Sequence, residues 1–368
     1  MVTVNFLDVM HVIGARPNVP KAAPVVRALA EAGASQLVVS TGQHYDDDLF
    51  GSMLRAVGMS APDIELNVGS GSHAQQTSAV LTSIEPVLIE QSPRIVVVYG
   101  DVNSTLAAAL AAAKLHLPVA HVESGLRSHD PAMPEEINRR LVDHLSTLLF
   151  VTSPDAWVNL RAEGLADGRA IEVGNPMIDS LIWARDLTDL DQRRKALGLP
   201  EDFILATIHR PSNVDDPNQV GAVLTLLREL GSLLPVVLPV HPRSRVALSP
   251  AQKFPGVKLT APLEYRDFLA ALAGSRVVVT DSGGVQEESS FLGVPCVTIR
   301  TTTERPITIT HGTNRLATLT SATADVNAIL RSPRPAPASI PLWDGHAGNR
   351  IARGLLAYLH RTHESAHV

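Results

Sequence analysis

Short runs of branched and aliphatic residues recur along the chain, each followed by a glycine-bearing or polar break and then by a stretch with helical spacing. In the first half the runs Asp8 to Ile13, Leu37 to Ser40, Ile95 to Tyr99, Val119 to Val122 and Leu148 to Val151 read as strands, and Ser104 to Leu115 as one of the helices between them. These strands are apolar at nearly every position rather than at alternate ones, which is the pattern of a parallel sheet covered on both faces. The pattern resets around Val173-Gly-Asn-Pro-Met177. After a polar stretch from Asp186 to Gly198, a second series begins with Phe203 to Thr207, Val236 to Val240, Val277 to Thr280 and Val294 to Ile299. Alternation of this kind predicts α/β architecture in two doubly wound domains. The Pro-rich segment Ser332 to Pro341 reads as a linker, and a last helix, Gly348 to Leu359, is placed to cross back onto the first domain. The expected division is 1–176 with 347–368 for one domain and 177–346 for the other.

Composition narrows the picture. The chain has 368 residues, 45% of them hydrophobic and 18% charged, enough for two cores. A net charge of -6 with both signs interspersed argues against a nucleic-acid surface, so an anionic ligand must be met by local groups. The single cysteine, Cys296, lies in an apolar run, which excludes a disulfide scaffold and a cysteine-based zinc site and predicts a buried, inert thiol. The chain shows neither a signal segment nor an apolar stretch fit to span a bilayer, and the reading is of a cytoplasmic protein without a membrane partner.

The polar breaks carry the chemistry, and ligands of doubly wound sheets bind beyond the carboxyl ends of the strands. In Thr280-Asp-Ser-Gly-Gly-Val-Gln-Glu-Glu288, a strand ends in Asp281-Ser282, and Gly283 and Gly284 then let backbone amides approach an anion at a helix start. Glu287 and Glu288, one turn along, are placed to accept hydrogen bonds from sugar hydroxyls. An ordinary capped turn explains the same residues. The loop Gly14-Ala-Arg-Pro-Asn-Val-Pro-Lys21 presents Arg16 and Lys21 near another helix start. Asp101 and Glu123 stand at the ends of successive strands, although Asp101 also reads as a helix cap. Glu135, Glu136, Arg139 and Arg140 fit the ordinary charge pattern of an exposed helix, and one of the glutamates can reach the same site. In the second half His209-Arg210 and His241 follow strand ends.

Together these residues resemble the non-hydrolysing UDP-N-acetylglucosamine 2-epimerases. The motifs Gly14-x-Arg-Pro, Thr41-Gly-Gln-His, Gly100-Asp101, His121-Val-Glu-x-Gly-Leu-Arg127, Pro134-Glu-Glu-x-Asn-Arg139, Gly174-Asn175, His209-Arg210, Pro239-Val-His241, Thr280 to Glu288 and Thr303-Glu-Arg-Pro306 stand in the family's order. The resemblance implies a glycosyltransferase-B-like architecture, two Rossmann-like domains facing a central cleft, and interconversion of UDP-N-acetylglucosamine and UDP-N-acetylmannosamine through loss and re-addition of UDP. It implies Asp101, Glu123 and Glu135 as acid/base groups and His209 at the leaving diphosphate. Arg16, Lys21 and Arg305 then bind substrate, Ser282, Gly283 and Gly284 cradle the diphosphate, and Glu288 meets the ribose. Gln43, Glu136, Arg210 and His241 correspond to residues that bind a second, activating UDP-N-acetylglucosamine. No metal, no nicotinamide or other cofactor, and a homodimer are implied as well. Asn18 stands where the family usually has Glu, and Pro211-Ser212 where it has a basic-acidic pair. A hydrolysing epimerase that releases N-acetylmannosamine, a UDP-sugar glycosyltransferase and a non-catalytic nucleotide-sugar sensor are the rival readings.

Overall fold

A computed structural model describes residues 7–42, 47–240 and 244–365. The chain divides into two compact units, one running to Ile182 and resuming at Pro341, the other covering Trp183–Ile340. The first unit holds a parallel sheet of β1 (Val9–Ile13), β2 (Gln36–Ser40), β3 (Ile64–Glu65), β4 (Ile95–Tyr99), β5 (Val119–Ser124), β6 (Leu148–Val151) and β7 (Ala170–Glu172), in the order β3-β2-β1-β4-β5-β6-β7. The second holds β8 (Ile204–Thr207), β9 (Val236–Pro239), β10 (Val257–Thr260), β11 (Val277–Thr280), β12 (Cys296–Ile299) and β13 (Asn314–Ala317), in the order β10-β9-β8-β11-β12-β13. Both are doubly wound α/β sheets, as the alternating pattern predicts. In each, strand order reverses once, between β1 and β4 and between β8 and β11, and that reversal opens a crevice at the carboxyl edge.

The central strands are buried from end to end because helices cover both faces. Every residue of β1, β4, β5 and β11 is buried. His11 in β1 is a satisfied core histidine. Its Nδ1 lies 2.7 Å from the Tyr99 hydroxyl and its Nε2 3.0 Å from Gln36 Oε1, and burial lowers its pKa to about 4. Cys296 is buried in β12, and burial raises its pKa to about 11, so the thiol is inert as expected.

Strands β3, β7, β10 and β13 lie outside the runs picked out in the sequence. The polar stretch from Asp186 to Gly198 contains a helix, Leu190–Ala196, started by Asp189, whose side chain accepts from Gln192 N at 2.9 Å. None of its residues is buried, so no apolar stripe announced it. The last helix runs Ala347–Ser365 and belongs to the first unit, where Gly348 N donates to Asp179 Oδ2 at 2.8 Å. A Cβ on Gly348 would stand 2.5 Å from Pro24 O, so only glycine permits this approach to helix Val19–Glu31.

Candidate active site

At the reversal between β1 and β4 one side chain ties the two strand ends together. Asn18 Oδ1 accepts from Gly14 N and Ala15 N, both at 3.0 Å, and its Nδ2 donates to Tyr99 O at 2.8 Å. A carboxylate here could accept the first two bonds but could not donate the third. The turn that follows β1 therefore sits against the end of β4 with its backbone satisfied. Gly14 is required for the packing, since a Cβ would fall 2.4 Å from Ser104 Cβ.

Lys21, on the helix after that turn, is buried and pairs with Glu123 Oε2 at 2.7 Å. Glu123 has φ +77°, a left-handed conformation that costs a non-glycine residue about 1 kcal/mol or more, at the point where the β5–β6 register shifts between Val122 and Ser124. The bulge re-aims the side chain, and the strain is held by the surrounding sheet. Arg16 is half-buried on the same loop.

Asp101 follows Gly100 at the end of β4. It is not a helix cap: the cap of Asn103–Lys114 is Val102, and no side chain bonds there. Instead Arg139 reaches it across the chain, donating from Nε to Asp101 Oδ2 at 3.2 Å and from its terminal nitrogen to the same oxygen. The neighbouring Asn138 Nδ2 donates to Asp101 O at 2.9 Å. Helix Pro134–Leu145 thus holds both the backbone and the carboxylate of Asp101.

The exposed-helix reading of that segment fails for two of its four charges. Arg139 is buried and also pairs with buried Glu136, which accepts from Ser128 N at 2.8 Å and Ser128 Oγ at 3.0 Å. Burial pushes the Glu136 carboxyl up, but the Ser128 amide and Arg139 outweigh it and hold the group below its ordinary range. Glu135, in the same first turn, is half-buried. Of the four residues matched to an activator site, Glu136 and Arg210 are engaged inside their own units, while Gln43 and His241 lie outside the described residues.

In the second unit the reversal between β8 and β11 is tied by Asp281, a residue the sequence reading placed in the motif without a role. Fully buried, it accepts from His209 N at 2.9 Å, Arg210 N at 2.8 Å and Asn213 Nδ2 at 2.9 Å, with His209 Nδ1 at 3.0 Å. Burial raises its pKa, yet His209, the Arg210 amide and Asn213 outweigh that and hold the carboxyl below its ordinary value. The His209 side chain stays 40% exposed, aimed by its own backbone contact to Asp281.

Ser282 precedes helix Gly283–Leu292, and its side chain makes no cap bond. The first amides of that helix have no carbonyl partner one turn back, which is the chemistry of an anion cradle. A Cβ on Gly283 would lie 2.6 Å from a guanidinium nitrogen of Arg305 and 2.8 Å from Glu304 Oε1, so a larger residue would push these two side-chain ends aside. Arg305 is buried behind this turn, with Nε 3.0 Å from Glu287 Oε2 and a second pair to Glu304. Glu287 is therefore engaged by Arg305. Glu288 is buried and accepts from the Tyr265 hydroxyl at 2.8 Å. Burial, with the charge of Glu287 added, raises its pKa to about 7 despite the Tyr265 bond.

Each unit thus gathers its polar groups at the reversal of its own sheet. The first offers carboxylates beside a buried lysine, and the second offers the amides of a helix start, a half-exposed histidine and a buried carboxylate. Among the described residues no group of three or more His, Cys, Asp or Glu side chains could hold a metal ion. Arg139, Asn138 and Asp281 stand in the sequence motifs without the contacts that the fold gives them, and Tyr265 lies outside every one of those motifs. Arg139 stands three residues after Glu136, a helical spacing that signals the pair; nothing in the sequence signals Tyr265.

The chain matches the family model described as UDP-N-acetylglucosamine 2-epimerase over residues 27–356. It is 42% identical to the UDP-2,3-diacetamido-2,3-dideoxy-D-glucuronate 2-epimerase of Pseudomonas aeruginosa, over 84% of this chain and 88% of that one. It is 35% identical to the UDP-N-acetylglucosamine 2-epimerase of Methanocaldococcus jannaschii, over 94% and 98% of the two chains. A crystal structure of the M. jannaschii enzyme in complex with UDP-GlcNAc and UDP superimposes with a TM-score of 0.89, covering 95% of this chain and 99% of that one.

Proposed function

The chain belongs to the UDP-N-acetylglucosamine 2-epimerase family, and we propose that it inverts carbon 2 of UDP-N-acetylglucosamine to give UDP-N-acetylmannosamine without net hydrolysis. A carboxylate takes the proton from carbon 2, the C1–O bond breaks with its electron pair leaving on UDP, and 2-acetamidoglucal forms. Reprotonation on the opposite face and re-addition of the UDP oxygen to carbon 1 complete the inversion. Asp101, Glu123 and Glu135 share the proton transfers, and Arg16 and Lys21 position the substrate. His209 and the amides from Ser282 to Gly284 stabilise the departing diphosphate, Glu288 accepts from the ribose hydroxyls, and Arg305 fixes the cradle from behind. The observation that carries this reading is the placement of the acidic groups and the anion cradle at the two sheet reversals. Reaction in deuterated water followed by NMR tests it. Deuterium at carbon 2 of both sugars is expected, whereas inversion without exchange, or accumulation of free N-acetylmannosamine, refutes it.

A second substrate is favoured by one specific observation, the 42% identity to an epimerase of a diacetamido glucuronate. The chemistry at carbons 1 and 2 is the same, and only the substituents at carbons 3 and 5 differ. Comparing kcat/KM for the two UDP-sugars decides between them. The reading also includes a homodimer in the cytoplasm, supported by exposed Ile137 and Leu141 on helix Pro134–Leu145 and by a single buried thiol suited to a reducing compartment. No helix among the described residues is long and apolar enough to cross a membrane. Sedimentation at micromolar concentration tests the dimer.

A further inference from the structure

The turns that carry Asp101 and Glu123 end neighbouring strands, and one buried side-chain pair touches both. His121, on β5, is fully buried, with Nε2 2.8 Å from Gly100 O and Nδ1 2.7 Å from Asp143 Oδ1. The other oxygen of Asp143 accepts from Gly125 N at 3.1 Å and from Arg127 at 2.7 Å. Arg127 in turn makes a two-point contact with Glu163 at 2.9 and 2.6 Å. Gly100 and Gly125 have φ of +63° and +81°, and these flexible residues flank Asp101 and Glu123. Side-chain bonds to the backbone at these glycines restrict that freedom.

Both ring nitrogens of His121 face groups that can only accept, a backbone carbonyl and a carboxylate. Each nitrogen must therefore carry a hydrogen for the two contacts to be hydrogen bonds. The imidazolium that results faces a carboxylate directly, since Asp143 lies against both His121 and Arg127, while Glu163 is shared between Arg127 and Arg140. A buried charge with a hydrogen-bonded counter-charge against it is tolerated where a lone charge would not be.

We propose that the His121–Asp143 pair is a positioning device that locks the Asp101 and Glu123 turns relative to one another, with His121 held as a doubly protonated ring. His121 touches no reacting atom. It acts through Gly100, as Asp143 acts through Gly125, and the proposal rests on the reading that Asp101 and Glu123 move protons. Loss of the pair leaves Asp101 to its Arg139 and Asn138 contacts and Glu123 to Lys21, and misplacement of either carboxylate by about 1 Å costs on the order of 100-fold in turnover.

The test uses the full-length protein labelled with 15N histidine, with the His121 signals assigned by their loss in His121→Asn. Two ring N–H signals from His121 are expected in the native protein, and one in Asp143→Asn, where the balancing charge is gone. A single ring N–H in the native protein overturns the proposal, whether or not the chain proves to be an epimerase. In steady-state assays, Asp143→Asn and His121→Asn should each lower kcat about 100-fold while KM and the UDP dissociation constant stay within about threefold. Active sites are counted by UDP titration, so misfolded protein does not enter kcat. Unchanged kcat per titrated site in Asp143→Asn would mean the cluster only stabilises the fold, and would also overturn the proposal. If the native protein turns over neither UDP-sugar, the function reading fails while the ring signals still decide the state of His121.

Discussion

Replacing Glu288 by glutamine should make the protein more stable and a worse binder of UDP at the same time. The carboxyl is buried and its one recorded hydrogen bond comes from Tyr265, so ionisation costs more in the fold than in the unfolded chain. Its pKa stands at about 7 against an ordinary 4.5. Because the folded value is the higher one, the native state binds the proton more tightly. The stability of the native state therefore falls as pH rises from 4.5 to about 7, and above that the full cost is present. At 1.36 kcal/mol per pH unit the cost is about 3 kcal/mol, to be read as an order of magnitude. Glutamine keeps an oxygen for Tyr265 and carries no charge. In urea titrations Glu288→Gln should gain on the native protein by up to about 3 kcal/mol at pH 8 and by almost nothing at pH 4.5. A constant difference across that range would refute the argument from buried charge.

If Glu288 meets the ribose as proposed, the same carboxylate should couple UDP binding to protons. Ribose hydroxyls that donate to it favour the charged form, so binding near pH 6 must expel a proton from Glu288. The terminal phosphate of UDP titrates in the same range, and the useful quantity is the difference between the native protein and Glu288→Gln. Calorimetry in two buffers of unlike ionisation enthalpy should show additional release, approaching one proton at pH 6, from the native protein only. Equal release and equal affinity in the two proteins would remove Glu288 from the ribose site.

Asp101→Asn, Glu123→Gln and Glu135→Gln should each reduce turnover at least about 100-fold while leaving the UDP dissociation constant nearly unchanged, as paired steady-state and calorimetric measurements would reveal. Arg139→Lys should lower kcat as well, because a lysine cannot span Asp101 and Glu136 as the guanidinium does; unaltered kcat would show that Asp101 needs no such support. Asp281→Asn should cost about 3 kcal/mol in the second unit, since a charged acceptor of several bonds is lost. Its lowered pKa means the contribution is complete above pH 3.8 and disappears as the pH falls below that, so the acid limb of the unfolding curve should flatten in the variant. Thiol alkylation should leave activity intact, given the burial of Cys296; rapid inactivation stopped by Cys296→Ala would contradict this.

The apolar central strands and their end groups were legible in the sequence because each depends on residues close together in the chain, whereas the short or half-exposed outer strands β3, β7, β10 and β13 carry no such run. Ile95–Tyr99, Leu148–Val151 and Val277–Thr280 fall where the apolar runs put them. Gly100-Asp101 and Asp281-Ser282 end their strands as the pattern requires. What the side chains touch was less legible, because it depends on which strands become neighbours. Arg139 meets Asp101 only once the helix after β5 lies beside β4, and Asn18 meets Tyr99 only because β1 pairs with β4. An exposed ion-pair ladder and a buried clamp share one sequence pattern, Glu-x-x-Arg, and burial alone separates them.

The polar partners also explain how carboxylates persist at the edge of an apolar sheet. Burial by itself drives such groups towards the neutral form, as Glu288 demonstrates with its pKa near 7. Asp281, Asp143 and Glu136 are buried too, yet each is held below its ordinary value by amides, by guanidinium or by imidazole. The difference lies in the donors: Glu136 receives bonds from Ser128, His129 and Arg139, whereas among the described residues Glu288 receives one from Tyr265. A buried carboxylate with donors already in place is fixed as scaffold. One that meets few of them inside the protein can gain the rest from a ligand, and for Glu288 the hydroxyl pair of a ribose is a donor set of the right chemistry.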